Sequence, residues 1–164
     1  MVSLTTLSIV KKQSGRRLPF AVRSSRIHGR GVFATRRISK GERLIEYKGE
    51  RLTWQEAEDR YPLDPVPYHT FLFETGNGDM CIDAAHNGNA AKWINHSCMP
   101  NCEAVEDEDE HVFIDAARVI RPGEELTYDY NFILKKRHTP ARKKSFPCWC
   151  GVRNCRGTML GRKR

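Results

Sequence analysis

No run in this 164-residue sequence stays apolar for more than a few residues, whereas a helix needs roughly 20 such residues to cross a bilayer. A membrane-spanning helix is excluded, and no membrane partner is expected. The beginning of the chain lacks the order of an export signal as well. Polar residues interrupt Val2, Leu4, Leu7, Ile9 and Val10, and the cations Lys11, Lys12, Arg16 and Arg17 follow the apolar residues instead of preceding them. No internal repeat is present, and the length fits one domain with small appendages. Acid is missing from three segments: residues 1–20 with four basic groups, 135–144 with six and 153–164 with five. These hold 15 of the 28 basic side chains, so 13 remain in the body against 20 acids. A chain of formal charge +8 therefore has a body near −7 between basic flanks. An acidic body favours a cationic partner, such as a lysine-rich peptide, by long-range attraction. The basic flanks read either as solvated surface or as docking points for nucleic acid, though they lack the interleaved aromatics of a single-strand platform.

What is present is mainly strand and turn. Phe20–Val22, Val32–Ala34 and Leu44–Tyr47 read as short strands punctuated by Gly29, Gly31, Gly41 and Gly49. Thr53, with Glu56 three residues on, forms a capping box that opens a helix over Trp54–Arg60, and Pro62, Pro65 and Pro67 stop it. Two hairpins are expected. One joins His69–Phe73 to Met80–Ala84 through the Gly-rich turn at 76–79. The other joins Cys102–Val105 to His111–Ala116, with a tip of five acids, 106–110, that is too like-charged to bury. A last strand, Glu125–Tyr130, follows the Pro122-Gly123 turn. The fold class is mainly β with short helices.

Cys148, Cys150 and Cys155 form C-x-C-x₄-C in a segment with almost no apolar residues, a knot that needs a staple. With no export signal, disulfides are disfavoured and zinc is preferred. Three thiolates leave a tetrahedral zinc one ligand short. Cys81, Cys98 and Cys102 are the upstream candidates, and spacing does not choose among them. Cys81, in Met80-Cys81-Ile82, reads best as a small core residue.

Four further segments carry polar and aromatic residues suited to chemistry: Ile27–Ala34 with its Gly-x-Gly, Glu46–Glu50, Gly88–Cys102 with Asn95-His96-Ser97-Cys98, and Gly123–Tyr130 with Tyr128-Asp129-Tyr130. In this order, with the C-x-C-x₄-C tail, they resemble the SET-domain family of protein lysine methyltransferases, including its zinc-binding post-SET segment. The resemblance implies a fold of several small β-sheets around a pseudoknot, in which the Asn-His-Ser segment lies beside the strand carrying Tyr-Asp-Tyr. It divides the chain into a basic extension at 1–19, a SET domain at 20–134, a basic insert or linker at 135–146, and a post-SET zinc segment with a basic tail at 147–164.

The same resemblance implies S-adenosylmethionine and Zn2+ as cofactors. Gly29, Arg30 and Gly31 match the family's cofactor loop, where missing side chains let backbone approach the ligand. Asn95 and His96 match residues that bind its adenine and ribose region. Lys92 and Trp93 stand where the family commonly has Arg and Phe, and Thr70 and Phe71 where it often has Ser and Tyr. Cys98 matches the fourth zinc ligand beside Cys148, Cys150 and Cys155, which ties the tail to the site and lets Trp149 cover the adenine. Tyr47, Phe73, Tyr128 and Tyr130 match the lysine-channel lining, with Tyr130 at the catalytic tyrosine. Where the family alternates Phe and Tyr, Tyr128 implies mainly monomethylation. The implied substrate is a lysine-rich protein such as a histone. The implied location is a reducing intracellular compartment: nuclear chromatin, or a bacterial cytoplasm with or without delivery to a host. A zinc-stapled nucleic-acid or chromatin-docking module with little turnover is the alternative, against which the presence of Tyr47, Asn95, His96 and Tyr130 weighs.

Overall fold

The computed structural model describes residues 18–61, 71–76, 78–134 and 137–162. Ten strands form three small sheets. They are β1 (Phe20–Ser24), β2 (Arg30–Ala34), β3 (Arg43–Glu46), β4 (Glu50–Thr53), β5 (Leu72–Thr75), β6 (Met80–Asp83), β7 (Asn95–His96), β8 (Cys102–Glu106), β9 (Val112–Ala116) and β10 (Glu125–Tyr128). The sheet orders are β1-β2-β10-β7, β3-β9-β8 and β4-β6-β5. The two expected hairpins (β5 with β6, β8 with β9) pair antiparallel, and β1 pairs with β2 in the same way. Their registers follow from turns of four or five residues with glycine or like charge at the tip, where strand pairing cannot continue.

One pairing of named strands is parallel. Thr127 and Tyr128 of β10 lie parallel to Asn95 and His96 of β7, although β8 and β9 intervene in the chain. Asn101 fixes this crossing. Its Nδ2 donates to the Glu125 carbonyl at 2.8 Å, and its Oδ1 accepts the Thr127 N–H at 2.8 Å. The Asn-His-Ser segment thus lies beside the strand carrying Tyr-Asp-Tyr, as the resemblance implies. Val32, Ile38, Ile94, Ile114, Ile120 and Leu126 are fully buried where the first two sheets meet. Six such side chains, each contributing about 1.5–3 kcal/mol on burial, anchor the crossing from below.

The helix α1 (Trp54–Arg60) begins at the expected capping box. Thr53 Oγ1 accepts the Glu56 N–H at 3.2 Å, and the Glu56 carboxylate accepts the Thr53 N–H at 2.8 Å. At its far end, Arg60 and the Tyr61 hydroxyl bond the buried Asp83 carboxylate of β6 at 3.0 and 2.8 Å. Thr53→Ala removes one partner of the box and is expected to lower stability by about 1 kcal/mol in denaturant unfolding. An unchanged midpoint would show that the Asp83 latch alone sets the helix.

The sequence patterns did not reveal β4, the short 3-10 helix at Ala90–Trp93 or the helix α2 (Pro140–Lys144). The last lies within the segment read as a basic insert. Its signal is Thr139-Pro140: a capping hydroxyl, bonded to the Arg142 N–H at 3.3 Å, followed by proline in the first turn. Among the described residues no helix is long and apolar enough to cross a membrane.

Candidate functional site

A cavity of about 680 Å³ opens beside the β2-β10-β7 crossing, within the range of roughly 300–1,000 Å³ typical of small-molecule clefts. Of the residues assigned to a cofactor by resemblance, Gly29, Arg30, Phe71, Lys92, Trp93 and Asn95 line it. Thr70 lies outside the described residues. Gly31, His96 and Trp149 are not in its wall.

Gly31 is held by a different constraint. A Cβ there would come within 2.2 Å of Glu125 Oε1. The Glu125 carboxylate must occupy that space because it accepts Ser25 Oγ at 2.7 Å and Asn95 Nδ2 at 2.7 Å. Asn95 Nδ2 is also 2.9 Å from the Arg30 carbonyl. Asn95 therefore fastens the glycine loop to β10, and the glycine makes room for the fastening. Nearby, Phe71 meets Trp93 edge-on at 5.3 Å. The Lys92 ammonium and the Arg30 guanidinium stand 5.3 and 5.2 Å from the Trp93 ring, placing two cations around one indole. Trp149 stacks on His28 at 6.0 Å with an interplanar angle of 14°. His28 is in the cavity wall, so Trp149 reaches the rim through it.

Deeper in, Tyr47, Phe73, Tyr128 and Tyr130 converge. Ring centroids are 5.1 Å apart for Tyr47 and Phe73, 6.1 Å for Phe73 and Tyr128, and 4.9 Å for Tyr128 and Tyr130. The Tyr130 hydroxyl donates to the Ile94 carbonyl at 2.8 Å and that of Tyr47 to the Phe71 carbonyl at 3.0 Å. Both protons are thus committed to the backbone, leaving the oxygen lone pairs as acceptors. Burial pushes all three tyrosine phenols well above their ordinary range. None is a phenolate base near neutral pH. The arrangement can desolvate a cation, present acceptors to it and exclude water.

Behind this wall the four cysteines Cys98, Cys148, Cys150 and Cys155 place their sulfurs within 4.8 Å of one another. Cys81 and Cys102 stand apart, buried, their thiols pushed up to about 11 and about 12 by desolvation. Bonds of about 2.3 Å to a tetrahedral zinc give sulfur–sulfur edges of about 3.8 Å. Cys98 lies 3.7 Å from Cys148 and 3.9 Å from Cys155. Backbone N–H groups of Arg156, Cys150 and Gly157 point at the Cys98, Cys148 and Cys155 sulfurs at 3.3–3.5 Å, donors that a metal-held thiolate accepts, while burial by itself holds the Cys98 and Cys148 thiols above their ordinary range. Donor type, number and edge length all suit zinc.

Two links join the cysteine knot to the tyrosines. The Tyr130 N–H donates to His96 Nδ1 at 3.1 Å, and His96 Nε2 lies 3.5 Å from Cys98 Sγ. Since Nδ1 accepts, the proton of the neutral ring sits on Nε2 and points at the sulfur. Burial holds His96 neutral, its pKa pushed down to about 4, so its 3.4 Å approach to Asp129 is not an ion pair. Asp129 is instead clamped by both Arg156 terminal nitrogens at 2.5 and 2.7 Å. Burial works against the Asp129 charge, but this clamp outweighs it and holds the carboxyl below its ordinary range. The sequence reading assigned neither Asp129 nor Arg156. Their positions, between two channel tyrosines and directly after a knot cysteine, were the available signal.

A family model described as SET domain matches residues 29–131. The histone-lysine N-methyltransferase trithorax of Drosophila virilis is 41% identical over 137 residues, 80% of this chain and 3% of that protein. Histone-lysine N-methyltransferase 2B of Homo sapiens is 40% identical over 138 residues, 80% of this chain and 5% of that protein. A Schizosaccharomyces pombe protein named histone-lysine N-methyltransferase, H3 lysine-4 specific, is 41% identical over 142 residues, 82% of this chain and 14% of that protein. The chain thus spans only a small part of the relatives it matches.

Proposed function

The chain belongs to the SET-domain family, and from that premise we propose that it is a protein lysine N-methyltransferase that uses S-adenosylmethionine and acts on a histone or a similarly lysine-rich protein. The observation that carries the reading is the convergence of Tyr47, Phe73, Tyr128 and Tyr130 in one cavity with Arg30, Lys92, Trp93 and Asn95. When bound, S-adenosylmethionine supplies an electrophilic methyl group on a sulfonium. Arg30 and Lys92 are the cations available for its carboxylate, and the loop fastened by Asn95 presents backbone to its polar groups.

The nucleophile is a neutral lysine amine. With an ordinary pKa near 10.4, deprotonation at pH 7 costs about 3.4 pK units, roughly 4–5 kcal/mol. The aromatic channel lowers that cost by withholding water from the ammonium form, so no strong base is needed. Tyr130 accepts an amine N–H and holds the nitrogen in line with the methyl, where misplacement by about 1 Å would cost about 100-fold. Cys98, Cys148, Cys150 and Cys155 would hold zinc, which ties residues 147–162 to this wall.

Tyr128 supports a preference for monomethylation. Among the described residues no group bonds its hydroxyl, which therefore takes up channel space and is available to a water molecule where a second methyl would lie. Tyr128→Phe is expected to shift product toward di- and trimethyllysine by mass spectrometry, and an unchanged distribution would refute the assignment. The reading as a whole is tested with methyl-labelled S-adenosylmethionine and core histones. Label on lysine is expected, and its absence in the presence of bound cofactor overturns the activity.

A further inference from the structure

The cavity wall carries charges of both signs. Among the described residues it carries three formally charged side chains: Arg30, Lys92 and Glu74. The two cations stand around Trp93. The acid lies on β5 beside Phe73, in the same stretch of wall as Leu72 and Trp54. Among the described residues β5 is an edge strand, paired on one side only, with β6. Glu74 is exposed, and no described cation bonds it.

A second observation extends this acidic end. The turn after β5 is docked on the acidic β8–β9 tip. The Gly76 N–H donates to Glu106 Oε1 at 2.7 Å, and a Cβ on Gly76 would be 2.7 Å from Glu110 Oε1. A neutral N–H does not cancel the Glu106 charge, and Arg51 offsets one tip acid by pairing with Glu110 at 3.4 Å. The tip, which the sequence marks only as unburiable, is thereby carried to the Glu74 side of the cavity. A carboxylate-bearing group is favoured beside Arg30 and Lys92, and a cationic one beside Glu74.

We propose that Glu74, backed by the acidic tip, is the recognition point for a basic side chain flanking the target lysine of the protein substrate, and that it sets a preference for basic context. This rests on the methyl-transfer reading above and adds to it which neighbour of the lysine is read. The edge position of β5 lets an extended peptide lie alongside Glu74 while its lysine enters past Phe73.

The test uses the full chain, saturated with S-adenosylhomocysteine, and fluorescence polarisation of two lysine peptides. One carries arginine beside the lysine, and the other carries citrulline, the same shape without the charge. Wild type is expected to bind the arginine peptide about 5-fold more tightly, the scale of one exposed ion pair. Glu74→Gln, an exposed and nearly isosteric change, is expected to erase the difference, and Glu74→Lys to invert it in favour of a peptide with glutamate at that position. An unchanged melting temperature checks that each variant is folded. Discrimination that survives in Glu74→Gln overturns the proposal. Discrimination by a wild-type chain that transfers no methyl from labelled cofactor upholds the recognition role and overturns the catalytic reading instead.

Discussion

Tyr130→Phe is expected to reduce methyl transfer by about 100-fold or more while leaving cofactor affinity within about twofold. The phenylalanine keeps the ring contacts with Tyr128 at 4.9 Å and Phe132 at 5.4 Å, so the channel keeps its shape. What it removes is one oxygen, whose proton is committed to the Ile94 carbonyl and whose lone pairs are those that would accept from the amine in the proposed reaction. Because burial holds the phenol protonated, the oxygen orients and does not abstract a proton. The pH profile separates these roles. A positioning phenol leaves the ascending limb, set by the substrate amine losing its proton, where it was and lowers the plateau. If Tyr130 were the base, the variant would lose or move that limb. Single-turnover rates across pH 6–10, with cofactor affinity from calorimetry, decide the matter.

Stripping zinc is expected to produce the other large effect: a loss of cofactor affinity of at least about 10-fold, with the Tyr130 amide losing protection from hydrogen exchange. Residues 147–162 hold the cavity rim through Trp149 on His28 and have almost no apolar core of their own. The four sulfurs join them to the β7 segment, beside the Arg156–Asp129 clamp and the Phe132–Leu160 bridge. Loss of a structural zinc generally forfeits folding energy outright in such small knots. Here the damage travels further. Cys98 receives His96 Nε2–H and the Arg156 N–H, and those two residues hold Tyr130 and Asp129. A chelator titration with metal counted by absorption, followed by exchange mass spectrometry, tests this. Unchanged protection at Tyr130 after complete zinc removal would show that the knot is a separate appendage.

The four variants Thr53→Ala, Tyr128→Phe, Tyr130→Phe and Glu74→Gln address different levels of the molecule. The first should affect stability alone, and the second the product distribution. Tyr130→Phe acts on turnover and Glu74→Gln on peptide affinity. A single pattern shared by all four would mean that each merely loosens the fold.

Much of the local structure was legible because its causes are local. A threonine three residues before a glutamate, ahead of residues that suit a helix, is a local start signal, and glycine or a run of like charges ends a strand. That is why α1 and the hairpins lie near where the patterns place them. The Thr139-Pro140 start of α2 is a weak signal because it sits within 135–144, a run rich in lysine and arginine that resembles solvated linker. β4 escaped notice because four residues ending in a cap residue read as the approach to a helix.

The candidate site was legible in kind and incomplete in arrangement. The sequence by itself determined which residue types are present and in what order: a glycine loop, Asn-His-Ser-Cys, Tyr-Asp-Tyr and three close cysteines. The tertiary structure decided who meets whom. The parallel pairing of β7 with β10 joins segments about 30 residues apart across an intervening sheet, and no short-range pattern encodes a crossing of that kind. From it follow the fastening of Asn95 to the glycine loop, the steric reason for Gly31, the placing of Cys98 about 50 residues before Cys148 within reach of its sulfur, and the clamp between Asp129 and Arg156. Glu74 gained its place the same way. Its charge is written in the chain, but its place in the wall of the cavity that also holds Arg30 and Lys92 is a property of the fold, since complementarity depends on distance through space and not along the backbone.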